Sequence, residues 1–247
     1  MPVRNEGINL KNMLKILSVM VETQHEILVI YDSLSDDSIP VLEKIKNDYT
    51  NIRPIYNNLG EGIINALNVG IAEAKGDYLL LLSADDIGPV LAIGEMMDLL
   101  DNGCDLVSAT RYAYGGRVYG GHFMGRLFSR TANKLFYFLG GKLTDSTVGI
   151  KMVKKNVLNQ IKLTSKPVGW ISAFELSIRA QLMNLTIGEI PIISINRFYG
   201  GKSSFKFFSW LIEYSKWFLW GIKEIYFSKK ISPVVVKVPD RFLVNRR

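Results

Sequence analysis

Apolar positions recur along the chain in two spacings. Ile8, Leu10, Met13, Leu14, Leu17 and Met20 share one face of a helix that follows Asn5-Glu6-Gly7. Glu26-Ile27-Leu28-Val29-Ile30-Tyr31-Asp32 is an apolar run that stops at an acid, the pattern of a buried strand. A helix is expected over residues 39–49, with Pro40 in its first turn, and a strand over 52–56. Asn57-Asn58-Leu59-Gly60-Glu61-Gly62 is a glycine-bearing loop that opens a helix carrying Ile63, Ile64, Leu67, Val69, Ile71 and Ala74. The run Tyr78 to Leu82 then follows a Gly-Asp turn and ends at Asp85-Asp86. It reads as a strand buried on both faces, in the middle of a parallel sheet. Helices are expected over 90–100, 127–139 and 174–184, strands over 105–112 and 145–153, and an extended segment over 187–192. Met1-Pro2-Val3 reads as the end of a strand entering a loop. Strands alternating with helices, joined by connections too long for hairpins, predict an α/β fold. Its central sheet is mostly parallel, flanked by helices and wound with right-handed crossovers.

The last periodic segment, Lys206 to Phe227, is different in kind. It holds three Trp and many other apolar residues, interrupted by Glu213, Lys216, Lys223 and Glu224. Charges this frequent argue against a membrane-spanning helix. Two placements fit the pattern: a helix lying in a lipid headgroup zone, or a helix packed on its own domain. The expected organisation is a catalytic domain over 1–205, an amphipathic membrane-surface helix over 206–230 and a tail over 231–247.

Charge sharpens this division. The chain of 247 residues has a net charge of +7, yet residues 197–247 contribute eleven Lys/Arg against three acids, so the basic character belongs to the C-terminal fifth. That segment is aromatic and amphipathic, not a Lys/Arg groove with polar spacing. It therefore favours an anionic membrane surface over nucleic acid. One cysteine, Cys104, excludes an internal disulfide framework, and with only two isolated histidines it excludes a Cys/His metal cluster. Met1 is followed by a polar segment, so no signal peptide is expected and the protein is placed at the cytoplasmic face of a membrane, bound peripherally.

The candidate chemistry sits where the apolar runs end. In open α/β sheets ligands bind beyond the carboxyl ends of strands. Asp85 and Asp86 lie at such an end, and hard carboxylate oxygens there suit Mg²⁺ or Mn²⁺ bridging to a diphosphate. Capping of the next helix is the other use of such an acid.

In their order, the segments resemble the inverting GT-A glycosyltransferases of family 2, within them the polyprenyl- and dolichyl-phosphate hexosyltransferases. Pro2-Val3-Arg4-Asn5-Glu6 is similar to the first loop of that family. Ile30-Tyr31-Asp32-Ser33-Leu34-Ser35-Asp36-Asp37-Ser38 is similar to its V-D-D-x-S-x-D-x-T segment, with Tyr31 in place of the first Asp and Leu34 in place of the Ser. Ser83-Ala84-Asp85 stands where the family carries D-x-D. Thr110-Arg111-Tyr112 matches T-R-Y; Arg126, Ser129, Arg130 and Asn133 match R-x-x-S-R-x-x-N; Asp145, Thr147, Gly149 and Lys151 match D-x-T-x-G-x-[RK]. Arg197 to Ser203 resembles the loop that closes over the diphosphate.

The resemblance implies a nucleotide-diphosphate sugar donor, held by Pro2, Arg4, Glu6, Asp32, Gly60, Ala84, Asp85, Asp86, Arg197 and Lys202. Mg²⁺ or Mn²⁺ would sit on Asp85 and Asp86. A polyprenyl or dolichyl phosphate acceptor would be cradled by Arg111, Arg126, Ser129, Arg130 and Asp145. Asp85, Arg111, Arg126 and Glu175 are the implied catalytic residues. For Glu175 two roles stand: base toward a hydroxyl acceptor, or ion-pair partner of Arg179 at i, i+4. Two other functions remain beside the first: transfer to a glycan hydroxyl in surface-polysaccharide assembly, and a non-catalytic relative.

Overall fold

A computed structural model of the chain describes residues 1–121, 123–195, 207–228 and 234–242. In chain order the elements are α1 (Gly7–Met20), β1 (Ile27–Tyr31), α2 (Ser38–Ile45), β2 (Ile52–Tyr56), α3 (Ile63–Glu73) and β3 (Tyr78–Leu81). A 3-10 turn over Gly88–Ala92 leads into α4 (Ile93–Asp101), followed by β4 (Leu106–Thr110), β5 (Arg117–Tyr119), α5 (Phe123–Phe138), β6 (Lys151–Lys154) and α6 (Lys155–Leu158). The chain continues through α7 (Ile171–Leu182), β7 (Ile187–Pro191), β8 (Ile193–Ile195), α8 (Phe207–Phe227) and β9 (Val236–Lys237).

Most strand pairs are parallel, as expected: β1 with β2, β4 with β7, β5 with β8 and β7 with β9. Met1–Val3 adds to β1 on its other side: Val3 N–H donates to Ile30 O, and Ile30 N–H to Met1 O, both at 2.9 Å. The position of β3 differs from the expectation. It is the end strand of the order β3-β6-β4-β7-β9, and its neighbour β6 runs antiparallel to both β3 and β4. Leu79 and Leu81 are buried, whereas Tyr78 and Leu80 on the other face are half-covered and the Tyr78 hydroxyl reaches Asp101. An unbroken apolar run reports that both faces meet apolar neighbours. It carries no information on which strand lies alongside, because pairing is made by residues distant in the chain.

Alternate residues of the strands feed two cores, one on each face of the sheet. Val107, Ala109, Met152 and Ile190 join α1 and α4 residues such as Leu10, Met13, Leu14 and Met96. Leu106, Val153 and Ile187 join Leu67 of α3, Leu158 of α6 and Leu176 of α7. This period-two partition gives three layers, helix on sheet on helix.

A smaller aromatic core attaches α8. Phe136 of α5 is buried between Phe174 of α7, at 5.0 Å between ring centroids, and Phe218 of α8, at 5.5 Å. Trp217, Trp220 and Ile225 pack on the same cluster, so one face of α8 is docked on the domain. Among the described residues no helix is long and apolar enough to cross a membrane. Phe136→Ala is expected to cost about 3–5 kcal/mol, from lost burial plus the cavity left behind. Thermal unfolding should fall by roughly 10 °C, with faster proteolytic cleavage within α8. A shift under about 3 °C would show that α8 docking does not depend on this ring.

Candidate active site

Four segments carry the candidate residues, at or beside the carboxyl ends of β1, β3 and β4. The first loop is tied to the segment after β1: Asn5 N–H donates to Asp36 Oδ2 at 3.0 Å, Glu6 N–H to Ser38 Oγ at 3.2 Å, and Gly7 N–H to Asp37 Oδ1 at 2.8 Å. Arg4 forms an exposed ion pair with Glu61 at 2.9 Å, and Glu6 Oε2 accepts from Asn9 Nδ2 at 2.6 Å. Pro2 lies in the bridge to Ile30.

Asp32, at the end of β1, is held by one oxygen. Its Oδ2 accepts from Gly62 N–H at 3.1 Å, where Gly62 adopts φ 110°, a left-handed conformation that favours glycine. Its Oδ1 is buried without a hydrogen-bond partner among the described residues. A buried carboxylate oxygen left unpaired is costly. Gly60 shapes the same loop, with φ 99° and its carbonyl accepting from Asn57 Nδ2 at 2.7 Å.

At the end of β3 the two acids separate. Asp86 is buried; Oδ2 accepts from Ser194 Oγ at 2.5 Å and Oδ1 from Ile195 N–H at 2.8 Å. Burial pushes its carboxyl above the usual range, against the lowering effect of those bonds. The carboxylate thus ties this loop to β8. The approach is close enough that a Cβ on Gly88 would lie 1.5 Å from the Ile193 carbonyl oxygen. Ala84 is buried beneath the loop, and Asp85 is half-buried. Among the described residues no three His, Cys, Asp or Glu side chains cluster as a metal cage. The residues present still fit Mg²⁺ or Mn²⁺, which commonly take one or two carboxylates, with substrate phosphates and water completing the shell.

The cationic side of the site is a network around Arg111, just past β4. Arg111 Nε donates to Asp145 Oδ2 at 2.6 Å, Nη2 to Asp145 Oδ1 at 3.0 Å, and Nη2 also to Ser129 Oγ and Thr147 Oγ1, each at 3.3 Å. Asn133 Nδ2 supports the same Asp145 oxygen at 3.2 Å and Thr147 Oγ1 at 2.8 Å, and Tyr112 hydroxyl donates to Ser129 at 2.9 Å. Asp145 is fully buried, whereas the Arg111 side chain keeps 20% of its surface. Burial would raise the Asp145 carboxyl, but the Arg111 guanidinium beside it wins and holds it below the usual carboxylate range. Burial likewise disfavours the charged guanidinium, and Asp145 more than offsets it, so Arg111 is cationic throughout. Arg126 reaches back to Gly120 O at 3.0 Å, and Arg130 is exposed on the same helix.

The sign of the resulting pH dependence follows from Asp145. A carboxylate whose folded-state value is depressed adds stability that is complete above its ordinary value of 3.8 and is lost as pH falls through the lower folded value. Asp145→Asn is therefore expected to flatten the acid limb of unfolding free energy, measured by urea titration between about pH 5 and pH 2. Curves that stay parallel to the parent over that range would remove this carboxylate from the acid transition.

Glu175 is held by bonds within the protein. It is fully buried on α7, and Oε1 accepts from Thr164 N–H at 2.8 Å, Thr164 Oγ1 at 3.0 Å and Arg179 Nε at 2.7 Å. Its Oε2 accepts from Ser165 N–H at 2.8 Å. Of the two roles open from sequence, the structure shows the i, i+4 pair, and adds a clamp on the loop before α7. Arg197 and Lys202 lie outside the described residues. Lys151 stands in the sequence only as a motif position and Glu189 carries no reading there; both are buried beside this network. Their signal was present: each is a charged residue inside an otherwise apolar strand, Ile150-Lys151-Met152-Val153 and Ile187-Gly188-Glu189-Ile190.

The sequence pattern described as Glycosyl transferase family 2 matches residues 1–162. A dolichol-phosphate mannosyltransferase of Pyrococcus furiosus is 24% identical over 225 residues, which cover 87% of this chain and 62% of that protein. One of Mycosarcoma maydis is 22% identical over 224 residues, covering 86% of this chain and 76% of that protein. An uncharacterized glycosyltransferase of Synechocystis is 26% identical over 166 residues, covering 65% of this chain and 51% of that protein. The chain thus spans between about half and three quarters of these relatives' lengths. The fold is shared with a mannosyltransferase of Pyrobaculum calidifontis solved with GDP-Man and Mn²⁺, at a TM-score of 0.63 and 13% identity over 94% of this chain and 64% of that one. It is shared too with glucosyl-3-phosphoglycerate synthase of Mycobacterium tuberculosis solved with Mn²⁺, UDP and glucosyl-3-phosphoglycerate, at a TM-score of 0.62 and 16% identity over 92% of this chain and 77% of that one.

Proposed function

The chain belongs to glycosyl transferase family 2, and from that premise we propose that it moves a hexose from a nucleotide-diphosphate sugar to a polyprenyl phosphate, with inversion. The observation that carries this reading is Arg111: a guanidinium locked by a buried carboxylate through two bonds, with part of its surface open to an anion. A phosphate monoester is largely dianionic at neutral pH, its second pKa being about 6. It is already a nucleophile and needs cations more than a base. The full engagement of Glu175 favours this acceptor over a glycan hydroxyl.

On the donor side, Asp32 would accept from a nucleoside hydroxyl or N–H, and the Arg4–Glu61 ion pair lies next to Gly62, whose N–H bonds Asp32. Asp85 would hold Mg²⁺ or Mn²⁺ with the donor's diphosphate. The ion would offset charge developing on the leaving nucleoside diphosphate. Asp86 keeps the loop on β8 and so fixes where Asp85 stands. Arg111, with Ser129 beside it, receives the acceptor phosphate on the opposite side of the sugar. Arg126 and Arg130 sit on α5 where the rest of the acceptor enters.

The same helix supports a membrane-surface placement. Its outer face carries Phe123, Leu127, Phe128 and Leu135, with Phe138 85% exposed, bordered by Arg126, Arg130 and Lys134. On α8, Leu219, Tyr226 and Phe227 are each at least two-thirds exposed. Apolar faces edged by cations suit the headgroup zone of an anionic bilayer.

The test is transfer from labelled GDP-mannose and UDP-glucose, in parallel, to a short polyprenyl phosphate in detergent with Mg²⁺ or Mn²⁺. An organic-soluble product labile to mild acid is expected from one donor. Donor binding without such a product would refute the acceptor, and absence of metal-dependent donor binding would refute the transferase reading itself.

A further inference from the structure

A polar row crosses the middle of the sheet. Ser108 of β4 is in register with Lys151 of β6 on one side and with Glu189 of β7 on the other. All three are buried, and Lys151 Nζ donates to Ser108 Oγ at 2.7 Å. Glu189 Oε1 accepts from Thr144 N–H at 2.7 Å, Thr144 Oγ1 at 2.9 Å and, more weakly, Asp145 N–H at 3.4 Å. Thr144 Oγ1 is also 2.6 Å from Thr110 Oγ1, which accepts the N–H groups of Tyr112 and Ala113, each at 3.2 Å.

One carboxylate oxygen therefore braces both sides of the Arg111–Asp145 pair. It holds the backbone that carries Asp145, and through Thr144 and Thr110 it holds the turn that carries Arg111. Charges buried in a sheet are generally less stabilising than apolar residues of the same volume. Burial pushes the Glu189 carboxyl up to about 7 and the Lys151 ammonium down to about 7, in each case against the bonds and charges that favour the ionised form. Geometry accounts for the placement where stability does not.

We propose that Glu189 is a positioning residue: through the Thr144–Asp145 turn it sets the orientation in which Arg111 meets an anionic acceptor. The proposal rests on the reading that Arg111 receives the acceptor phosphate, but its first readout is independent of transfer. With the arginines of the full chain labelled with ¹⁵N, the Nε–H exchange of Arg111 is compared with that of Arg179. Arg179 pairs with Glu175 at 2.7 Å on another element and serves as internal control. In Glu189→Leu, Arg111 exchange should rise by about 10-fold or more, with Arg179 unchanged; in Glu189→Gln, which keeps an accepting oxygen, both should match the parent. In the transfer assay the acceptor KM of Glu189→Leu should rise by about 10-fold, with the donor KM within about 2-fold of the parent.

Unchanged Arg111 exchange in Glu189→Leu overturns the proposal, as does an equal change at Arg179 or in both KM values, which would mark a general loosening. If Glu189→Leu does not fold, Thr144→Val decides: it removes only the hydroxyl link and must shift Arg111 alone. A selective shift at Arg111 in a protein that transfers nothing to polyprenyl phosphate would leave the positioning role standing and refute the acceptor reading.

Discussion

Asp85→Asn is expected to lower sugar transfer by on the order of 10³-fold while leaving the fold intact. The side chain is half-buried at the carboxyl end of β3, and the amide has the same shape. What it loses is the negative charge that a hard divalent cation requires. Asp86→Asn is the instructive comparison, because the adjacent carboxylate is already bonded to Ser194 and Ile195. That variant should lose about 1–3 kcal/mol of stability from a buried bond network, and its transfer rate should follow the displaced loop. Transfer is measured at saturating donor across a Mn²⁺ titration, with unfolding followed in parallel. EDTA should abolish the parent's activity, and Mn²⁺ should restore it. An Asp85→Asn variant within about 5-fold of the parent at the same metal concentration would exclude Asp85 as the metal's carboxylate.

The second large effect concerns Arg111. Arg111→Ala leaves Asp145, fully buried, without its ion-pair partner. Breaking one side of a buried pair costs about 3–5 kcal/mol, and on the proposed function the acceptor phosphate would also lose its principal cation. Arg111→Lys keeps the charge but not the fork that bonds Asp145 through Nε and Nη2 together, so stability should be only partly recovered. The double variant Arg111→Met with Asp145→Asn separates the two roles. Removing both charges should restore much of the stability lost by Arg111→Ala and none of the transfer activity. Urea unfolding and acceptor KM are the two measurements. A double variant that regained transfer would show that the pair serves folding alone.

The contrast between neighbouring acids shows how far a sequence carries such assignments. Asp85 and Asp86 are adjacent and chemically identical, and the pair reads as one candidate metal site. They differ because Asp86 meets Ser194 and Ile195, more than a hundred residues away in the chain. Glu175 is similar. Its pairing with Arg179 was legible from helical spacing, but its bonds to Thr164 and Ser165 depend on how the preceding loop folds back. Arg111 and Asp145 were visible as separate motif residues 34 positions apart, and the fold makes them one unit.

What the chain determines by itself is local. Apolar spacing specified the longer strands and helices, because side-chain direction follows from the period of each element; the short β5, α6, β8 and β9 carry too few residues to show a period. The ends of the apolar runs marked where polar chemistry begins, and Asp32, Asp85 and Arg111 all lie there. The tertiary structure decided which strands adjoin, placing antiparallel β6 between β3 and β4, and which face of α8 is docked. It also decided which neighbours bind the buried acids Asp86, Asp145 and Glu175. Those outcomes depend on hydrogen bonds and packing between residues far apart in sequence. No local period encodes them, and a buried charge acquires its role only from the groups that surround it.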